Sequence, residues 1–342
     1  LKNLLILMLI TELYNGQGFG NQLFVYVTTR MIAHKLGYDF GIMSPERFKG
    51  YNLMNPDMGE KVIGGSGPEG GPPDFLPDGI ENYYHEYVHG KNHPITDSTR
   101  TFQLTDTNLF NVPDNTKLEG VLQSEEYFYD KIDLVKQWLK VNPEAEHSDT
   151  NVKDVCIINF RGGDIIGNLG WYLPKQYWIN AIDNMIQYNP NMRFAIVTDD
   201  VAAANSMLPE YPAYHESIAW DYVAIKNARN VICSSSTFAC FPLWTSDTLE
   251  YCIAPKYWFD HNRSQGWWSL GCSIYSYVTH YQDRDGNLFT PSQCKEEWDE
   301  YKKVSKIYDN DFKENQMLPP KVHFHLQKIP LVYQDYKNIL NK

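Results

Sequence analysis

The chain has 342 residues, 24 tyrosines, 9 tryptophans and a formal net charge of -12. That length suits two domains, and the aromatic content supplies both a packed core and surfaces on which sugar rings stack. The acidic balance, without any basic run, excludes general nucleic-acid binding, which needs clustered positive charge, but a small anionic ligand held by local arginines remains open.

In chain order, the apolar run Leu4 to Ile10 (LLILMLI) comes first. It is far shorter than the ~20 residues of a membrane span, and the glycine turn that follows, Gly16-Gln17-Gly18-Phe19-Gly20, marks it as a first buried strand. From Asn21 to Leu36 the apolar positions Leu23, Tyr26, Val27 and Met31 recur at three- and four-residue steps, which is helix spacing, and Gly37 stops the helix. Strand, glycine turn and helix make half of a nucleotide-binding unit. The turn reads GxGxGN rather than the dinucleotide fingerprint GxGxxG, and no Walker lysine follows. The N–H groups opening this helix suit a phosphate or carboxylate, but taken alone Asn21 as its N-cap is the preferred reading.

Gly64 to Gly79 (GGSGPEGGPPDFLPDG) is too rich in Gly and Pro for a regular element and reads as a surface loop, either a lid or an inert insertion. Asn142 to Asp154 is polar and turn-rich, as a domain linker is. Beyond it strands and helices alternate: Val155 to Asn159, a helix over Lys175 to Tyr188, Phe194 to Thr198, a helix near Trp220 to Ala228, Val231 to Cys233, and a helix after Ser236. Such alternation implies a parallel sheet. From about Lys256 the chain is aromatic (Trp258, Trp267, Trp268) and shows no strand pattern. The expected domains are therefore residues 1–150, 151–260 and an extension, 261–342.

Cys156, Cys233, Cys240, Cys252, Cys272 and Cys294 are scattered without a CxxC pair, so zinc-site spacing is absent. Cys156 and Cys233 lie inside strand-like runs, where buried thiols behave as small hydrophobes. A reducing compartment is expected, hence a cytoplasmic or membrane-peripheral protein. His85, His89, His280, His323 and His325 form no ligand pattern, and no metal is expected. There is no GxSxG elbow to suggest a hydrolase.

Three strand-to-helix junctions carry chemistry. In Val155 to Asp164 (VCIINFRGGD) an apolar strand runs through Asn159 into Arg161, two glycines and Asp164. Ligands of open α/β sheets bind at the carboxyl ends of strands, where an arginine among glycines can grip a diphosphate by paired hydrogen bonds. A structural Arg–Asp pair has the same look. Ser234, Ser235, Ser236 and Thr237 follow the strand ending at Cys233, and hydroxyls with free N–H groups at a helix start form an anion cradle. Asp199 and Asp200 end the strand Phe194 to Thr198; paired carboxylates suit a divalent metal, but an Asp capping the next helix is the preferred reading.

Together these residues resemble the α-1,2-fucosyltransferases. Gly18-Phe19-Gly20-Asn21-Gln22-Leu23-Phe24 with Tyr26 resembles their opening GxGNQxFxY. LEGVLQSEEYF (Leu118 to Phe128) is similar to GYLQSEKYF, and Asn159 to Ile165 to HxRRGDY. Phe194 to Asp200 resembles FSDD, Asp221 to Phe238 the segment ending in SSFSWW, and IAPKYWF (Ile253 to Phe259) the block IAPKxWF. The blocks run in the same order over most of residues 1–260. Protein O-fucosyltransferases and α-1,6-fucosyltransferases share the Arg motif and a similar GFGNQ turn.

The resemblance implies an α/β, GT-B-like enzyme: two Rossmann-type domains with parallel sheets facing a central cleft. It implies inverting transfer of fucose from GDP-fucose to a glycan hydroxyl, with an α-1,2 linkage and no metal. Carried over, Arg161 holds the β-phosphate, and Ser235, Ser236 and Thr237 bind the diphosphate or nucleoside, with Asn159, Asp199 and Ser234 beside them. Gly18, Gly20 and Asn21 face the donor from the other domain. Asp164 is the candidate general base, with Glu125 or Glu126 as alternatives. The departures are Asn159 for the motif's His, Gly162 for its second Arg, and Cys240 and Phe241 for its paired Trp. Losing that Arg removes a charge-assisted contact of ~1.5–3 kcal/mol. A GT-B enzyme for another nucleotide sugar, and a non-catalytic carbohydrate-binding relative, therefore stay open.

Overall fold

The computed structural model describes residues 7–62, 76–86, 89–90, 101–102, 105–168, 170–264, 266, 268 and 271–304. Residues 4–6 of the opening run, most of the Gly/Pro loop (63–75), Trp267, His323 and His325 lie outside them.

The chain divides into two compact units, one taking in Leu1–Phe48 and Pro56–Lys131, the other Lys49–Asn55 and Ile132–Val304. In the first, β1 (Met8–Glu12) leads into α1 (Phe19–Leu36) and β2 (Asp39–Met43), followed by β3 (Asn82–His85), the small antiparallel pair β4 (His89–Gly90) and β5 (Thr101–Phe102), and β6 (Thr116–Glu119). The main sheet runs β2-β1-β6-β3 with every pairing parallel. Helix α1 starts two residues earlier than its periodicity suggests. Gly18 is the N-cap and Asn21 sits within the first turn, so Asn21 is not the cap. Gly37 ends the helix in the left-handed region at φ 73°, and Tyr38 donates its N–H to Ala33 O at 2.9 Å, a Schellman closure. Phe24, Val25 and Ile32 are buried along with Leu23, Tyr26, Val27 and Met31. The helix is enclosed by apolar contacts rather than lying on the surface as an amphipathic helix does.

The second unit contains α2 (Ile132–Trp138), β7 (Val155–Phe160), α3 (Lys175–Tyr188), β8 (Arg193–Thr198), α4 (Val201–Met207), β9 (Ala213–Tyr214) and α5 (Ile218–Asn227). It continues through β10 (Asn230–Cys233), α6 (Cys240–Trp244), β11 (Tyr251–Pro255), β12 (His280–Gln282), β13 (Leu288–Phe289) and α7 (Pro291–Val304). Its sheet runs β13-β12-β11-β10-β7-β8-β9, parallel except for the β12–β13 hairpin. Cys156, Ile158 and Phe160 of β7 pack with Trp178, Ile182 and Met185 of α3 and with Phe194 and Ile196 of β8. Central parallel strands are covered on both faces, which is why these segments read as continuous apolar runs.

Three expectations are corrected. Residues 142–154 are not a linker: Thr150 Oγ1 donates to Ala224 O at 2.7 Å, Asn227 Nδ2 to His147 O at 2.5 Å, and His147 stacks on Trp220. The segment is fastened to α5, and the boundary falls at Lys131/Ile132 instead of 150/151. Residues 261–304 are not a separate extension, because β12 adds to the sheet beside β11 and α7 follows. Lys256 ties α7 down through Glu297 at 2.8 Å. Finally, the helix after Ser236 is a short 3₁₀ turn leading into the five-residue α6. The six cysteines are buried thiols, none of them in a disulfide.

Candidate functional site

In chain order the parallel strands of the second sheet lie 3-2-1-4-5-6 across it, as β9-β8-β7-β10-β11-β12. Strand order reverses between β7 and β10. At such a switch point the connections leave in opposite directions and open a crevice at the carboxyl ends, where ligands bind. The residues singled out from sequence gather here. Asn159 is paired in register with Cys233, and Ser234 N donates to Asn159 O at 3.0 Å. Two residues on, Arg161 stands at the end of β7 with its side chain one-third exposed (32%).

Its guanidinium is set by two carboxylates, Nη1 to Asp199 Oδ2 and Nη2 to Asp164 Oδ1, each at 2.5 Å. Asp199 also accepts the N–H of Gly162 at 2.8 Å, so the end of β8 fixes the turn after β7. Asp200 accepts from Ala203 N at 2.9 Å through Oδ1 as N-cap of α4, and its Oδ2 accepts from Gly163 N at 3.4 Å, so it too touches the turn after β7. The preferred reading of that second Asp as a cap therefore describes its Oδ1 contact. Among the described residues no group of three His, Cys, Asp or Glu side chains could hold a metal ion.

The two glycines after Arg161 have separate reasons. A Cβ on Gly162 would stand 2.7 Å from Asp200 Cβ and 3.2 Å from Ala203 Cβ, and Gly163 has φ 52°. No side chain fits at 162 without moving the start of α4, so the position where the resembled motif carries a second Arg is closed here by packing.

The hydroxyl run divides. Ser234 Oγ donates to Asn159 Oδ1 at 3.3 Å and Ser235 Oγ to Trp258 O at 3.0 Å, both from buried positions. Ser236 caps the following 3₁₀ turn by accepting from Phe238 N, and Thr237 is half-buried. Ser234 and Ser235 thus brace neighbouring strand ends, leaving the turn at Ser236 and Thr237 as the outward part of the cradle.

One pair escaped the sequence reading. His215, just past β9, is held by Asp221 of α5, Nδ1 to Oδ2 at 2.6 Å. Burial raises the Asp221 carboxyl above its ordinary range, opposed by the His215 contact. The available signal was a His two residues before the helix-capping Ser217, with an Asp in the first turn of the helix.

Gly18, Gly20 and Asn21 belong to the first unit, at the start of α1, where Asn21 Oδ1 accepts from Gln123 Nε2 at 3.1 Å. Close by in sequence, Glu12 ends β1 and binds Lys117 Nζ at 2.8 Å, and Lys117 also binds Glu119 at 3.1 Å. Tyr14 and Tyr83 donate their hydroxyls to Glu119. Glu12 and Lys117 are wholly buried, and burial together with Glu119 pushes the Tyr14 phenol well up. Farther along the same edge, Glu86 accepts from Leu122 N at 2.7 Å and Tyr127 OH at 2.8 Å, and burial raises its carboxyl to about 7. The LEGVLQSEEYF block therefore wraps Glu86. Gly120 leaves no room for a Cβ beside it, and Leu122 takes φ 53° to aim its N–H.

No protein-family model matches the chain, and no curated protein matches it. Among solved structures the chain is similar to NodZ α-1,6-fucosyltransferase soaked with GDP-fucose, at 14% identity and TM-score 0.43 over 73% of this chain and 95% of that one. It is also similar to the fucosyltransferase NodZ from Bradyrhizobium, at 15% identity and TM-score 0.42 over 73% and 94%. A third is POFUT1 in complex with GDP, at 8% identity and TM-score 0.40 over 73% and 98%. Among the described residues no helix is long and apolar enough to cross a membrane.

Proposed function

We propose that this chain is a GT-B-type glycosyltransferase that moves fucose from GDP-fucose to a hydroxyl of a glycan, with inversion and an α-1,2 linkage. The observation that carries the reading is Arg161, one-third exposed at the switch point of a 3-2-1-4-5-6 sheet and flanked on the next strand end by Ser234 to Thr237. The ordered motif blocks give the donor its identity in this reading.

The acceptor oxygen attacks the anomeric carbon as the bond from that carbon to the β-phosphate oxygen breaks, and the nucleoside diphosphate leaves with the electron pair. Arg161 binds the departing diphosphate, and its charge is already oriented by Asp199 before the reaction begins; preorganised charge of this kind needs no rearrangement in the transition state. Ser236 and Thr237 offer their hydroxyl groups to the same phosphates. Asp164, three-quarters exposed beside Arg161, takes the acceptor's proton.

Arg161→Ala is the direct test. We expect kcat/KM for transfer to fall at least about 100-fold, ~2.7 kcal/mol, with nucleoside diphosphate affinity falling alongside. Transfer that survives within about threefold, under ~1 kcal/mol, overturns the assignment. The closed space at Gly162 favours one second reading, a different nucleotide-sugar donor, and calorimetry with GDP against UDP decides between them: preference for GDP supports the fucosyl donor.

A further inference from the structure

The second unit holds a cavity of about 400 Å³, lined by Gly167, Asn168, Tyr172, Pro174, Asn262 and Arg284. Its walls come from three loops at carboxyl ends of strands: the β7–α3 loop, the stretch after β11, and the β12–β13 turn. They are fastened to each other. Asn262 Nδ2 donates to Tyr172 O at 2.8 Å, and Arg284 donates to Asn262 O at 3.2 Å and to Ser264 O at 2.5 Å. The cavity is therefore built before any ligand arrives. Tyr172 joins it to the donor site, since its ring meets Phe160, the residue preceding Arg161, edge-on at 6.1 Å.

We propose that this cavity is a subsite for one pyranose ring. The inference rests on the glycosyl-transfer reading for its role in turnover, but not for binding itself. Its volume is at the lower end of small-molecule sites, about 300–1,000 Å³, so it takes one part of a substrate rather than a whole nucleotide sugar. Tyr172 and Pro174 supply apolar walls for the C–H face of a sugar. Asn168 Nδ2 and Arg284 Nε have no partner among the described residues, whereas Asn168 Oδ1 is used by Gly170 N at 3.0 Å. Asn168 Nδ2 and Arg284 Nε are donors and the Tyr172 hydroxyl both donates and accepts, a set that the hydroxyl and ring oxygens of a pyranose match. No lining residue is acidic. Trp171 (42% exposed) and Ile166 (50%) extend the apolar surface along the same loop.

The ring belongs either to the donor or to the acceptor, and one set of variants separates the two. Arg284→Met, Asn168→Ala and Tyr172→Phe are made in the full chain, and unchanged melting temperature shows that each folds. The probes are a panel of methyl pyranosides followed by saturation-transfer NMR, and GDP and GDP-fucose followed by calorimetry. We expect saturation transfer to at least one pyranoside in the wild type and its loss, or a tenfold or greater weakening, in Arg284→Met and Asn168→Ala. Affinity for GDP is expected to stay unchanged. Weakened GDP-fucose binding then assigns the donor's sugar; an unchanged GDP-fucose affinity with a raised acceptor KM assigns the acceptor's. Pyranoside binding that is absent from the wild type or equal in all variants overturns the subsite, as does a parallel loss of GDP affinity, which marks a nucleoside pocket. Absence of GDP binding by the wild type, with pyranoside binding intact, instead sinks the donor reading and leaves the subsite standing.

Discussion

The two sheets each hold an ion-pair cluster toward the carboxyl ends of two adjacent central strands and treat it in opposite ways. In the first unit β1 and β6 lie side by side, and that junction is filled by the protein's own charges: Glu12, Lys117 and Glu119, closed over by Tyr14 and Tyr83. In the second unit the junction between β7 and β10 carries Arg161, whose two carboxylate partners are themselves partly or largely exposed. Both are ion-pair clusters between central parallel strands, yet only one presents its cation to solvent. Whether such a junction is a site depends on whether the side chains there are spent on each other.

The largest expected effect breaks the closed junction. Lys117→Met leaves Glu119 buried without its cation and Glu12 with only the longer contact to Arg47 at 3.6 Å, and loss of one partner from a buried pair costs about 3–5 kcal/mol. Denaturant unfolding should show that loss, whereas Arg161→Met at the open junction should shift stability by under ~1 kcal/mol while removing donor binding. Equal stability losses at the two positions would erase the contrast. Next in size is the pH response of Glu86. Its carboxyl titrates at about 7 when folded and at 4.5 ordinarily, so the folded state holds the proton more tightly than the unfolded chain. Its contribution is fully present below pH 4.5 and is lost as pH rises through 7, by roughly 3 kcal/mol. In Glu86→Gln, a neutral side chain in the same place, that decline between pH 4.5 and 7 should flatten. An unaltered slope refutes the buried acid.

Much of the second unit was legible because interior parallel strands must be apolar on both faces. β7, β8 and β10 stand out as runs ending in Arg161, Asp199 and Ser234, and the helix over Lys175 to Tyr188 has the bounds its periodicity gives. What stayed hidden has physical reasons. β12 and β13 have three and two residues, too few for any period to show. The polar turns of residues 142–154 look like a linker because composition reports hydrogen-bonding capacity, not that Thr150 and His147 spend it on α5. The buried Glu12–Lys117 pair joins residues 105 apart, and no local pattern marks it. The same holds for the cavity at Asn168 and Arg284, whose halves meet only through the fold.

The smallest effect sharpens why the open junction keeps its shape. In Gly162→Ala the new methyl stands 2.7 Å from Asp200 Cβ, so the cap of α4 must retreat and with it the carboxylate of Asp199 that receives Gly162 N. Overpacking of this kind costs about 1–3 kcal/mol, and thermal unfolding should register a loss in that range. The more telling readout is GDP affinity, measured by calorimetry on folded protein. Because Asp199 orients the Arg161 guanidinium, a displaced Asp199 should weaken GDP several-fold with no contact to GDP having been removed. Gly162→Arg, which restores the charge of the resembled motif, should then bind GDP more weakly than the wild type, because the backbone it must displace holds Arg161 in place. Tighter binding by Gly162→Arg would mean that the junction has room for a second cation and that Asp199 does not set the geometry of the first.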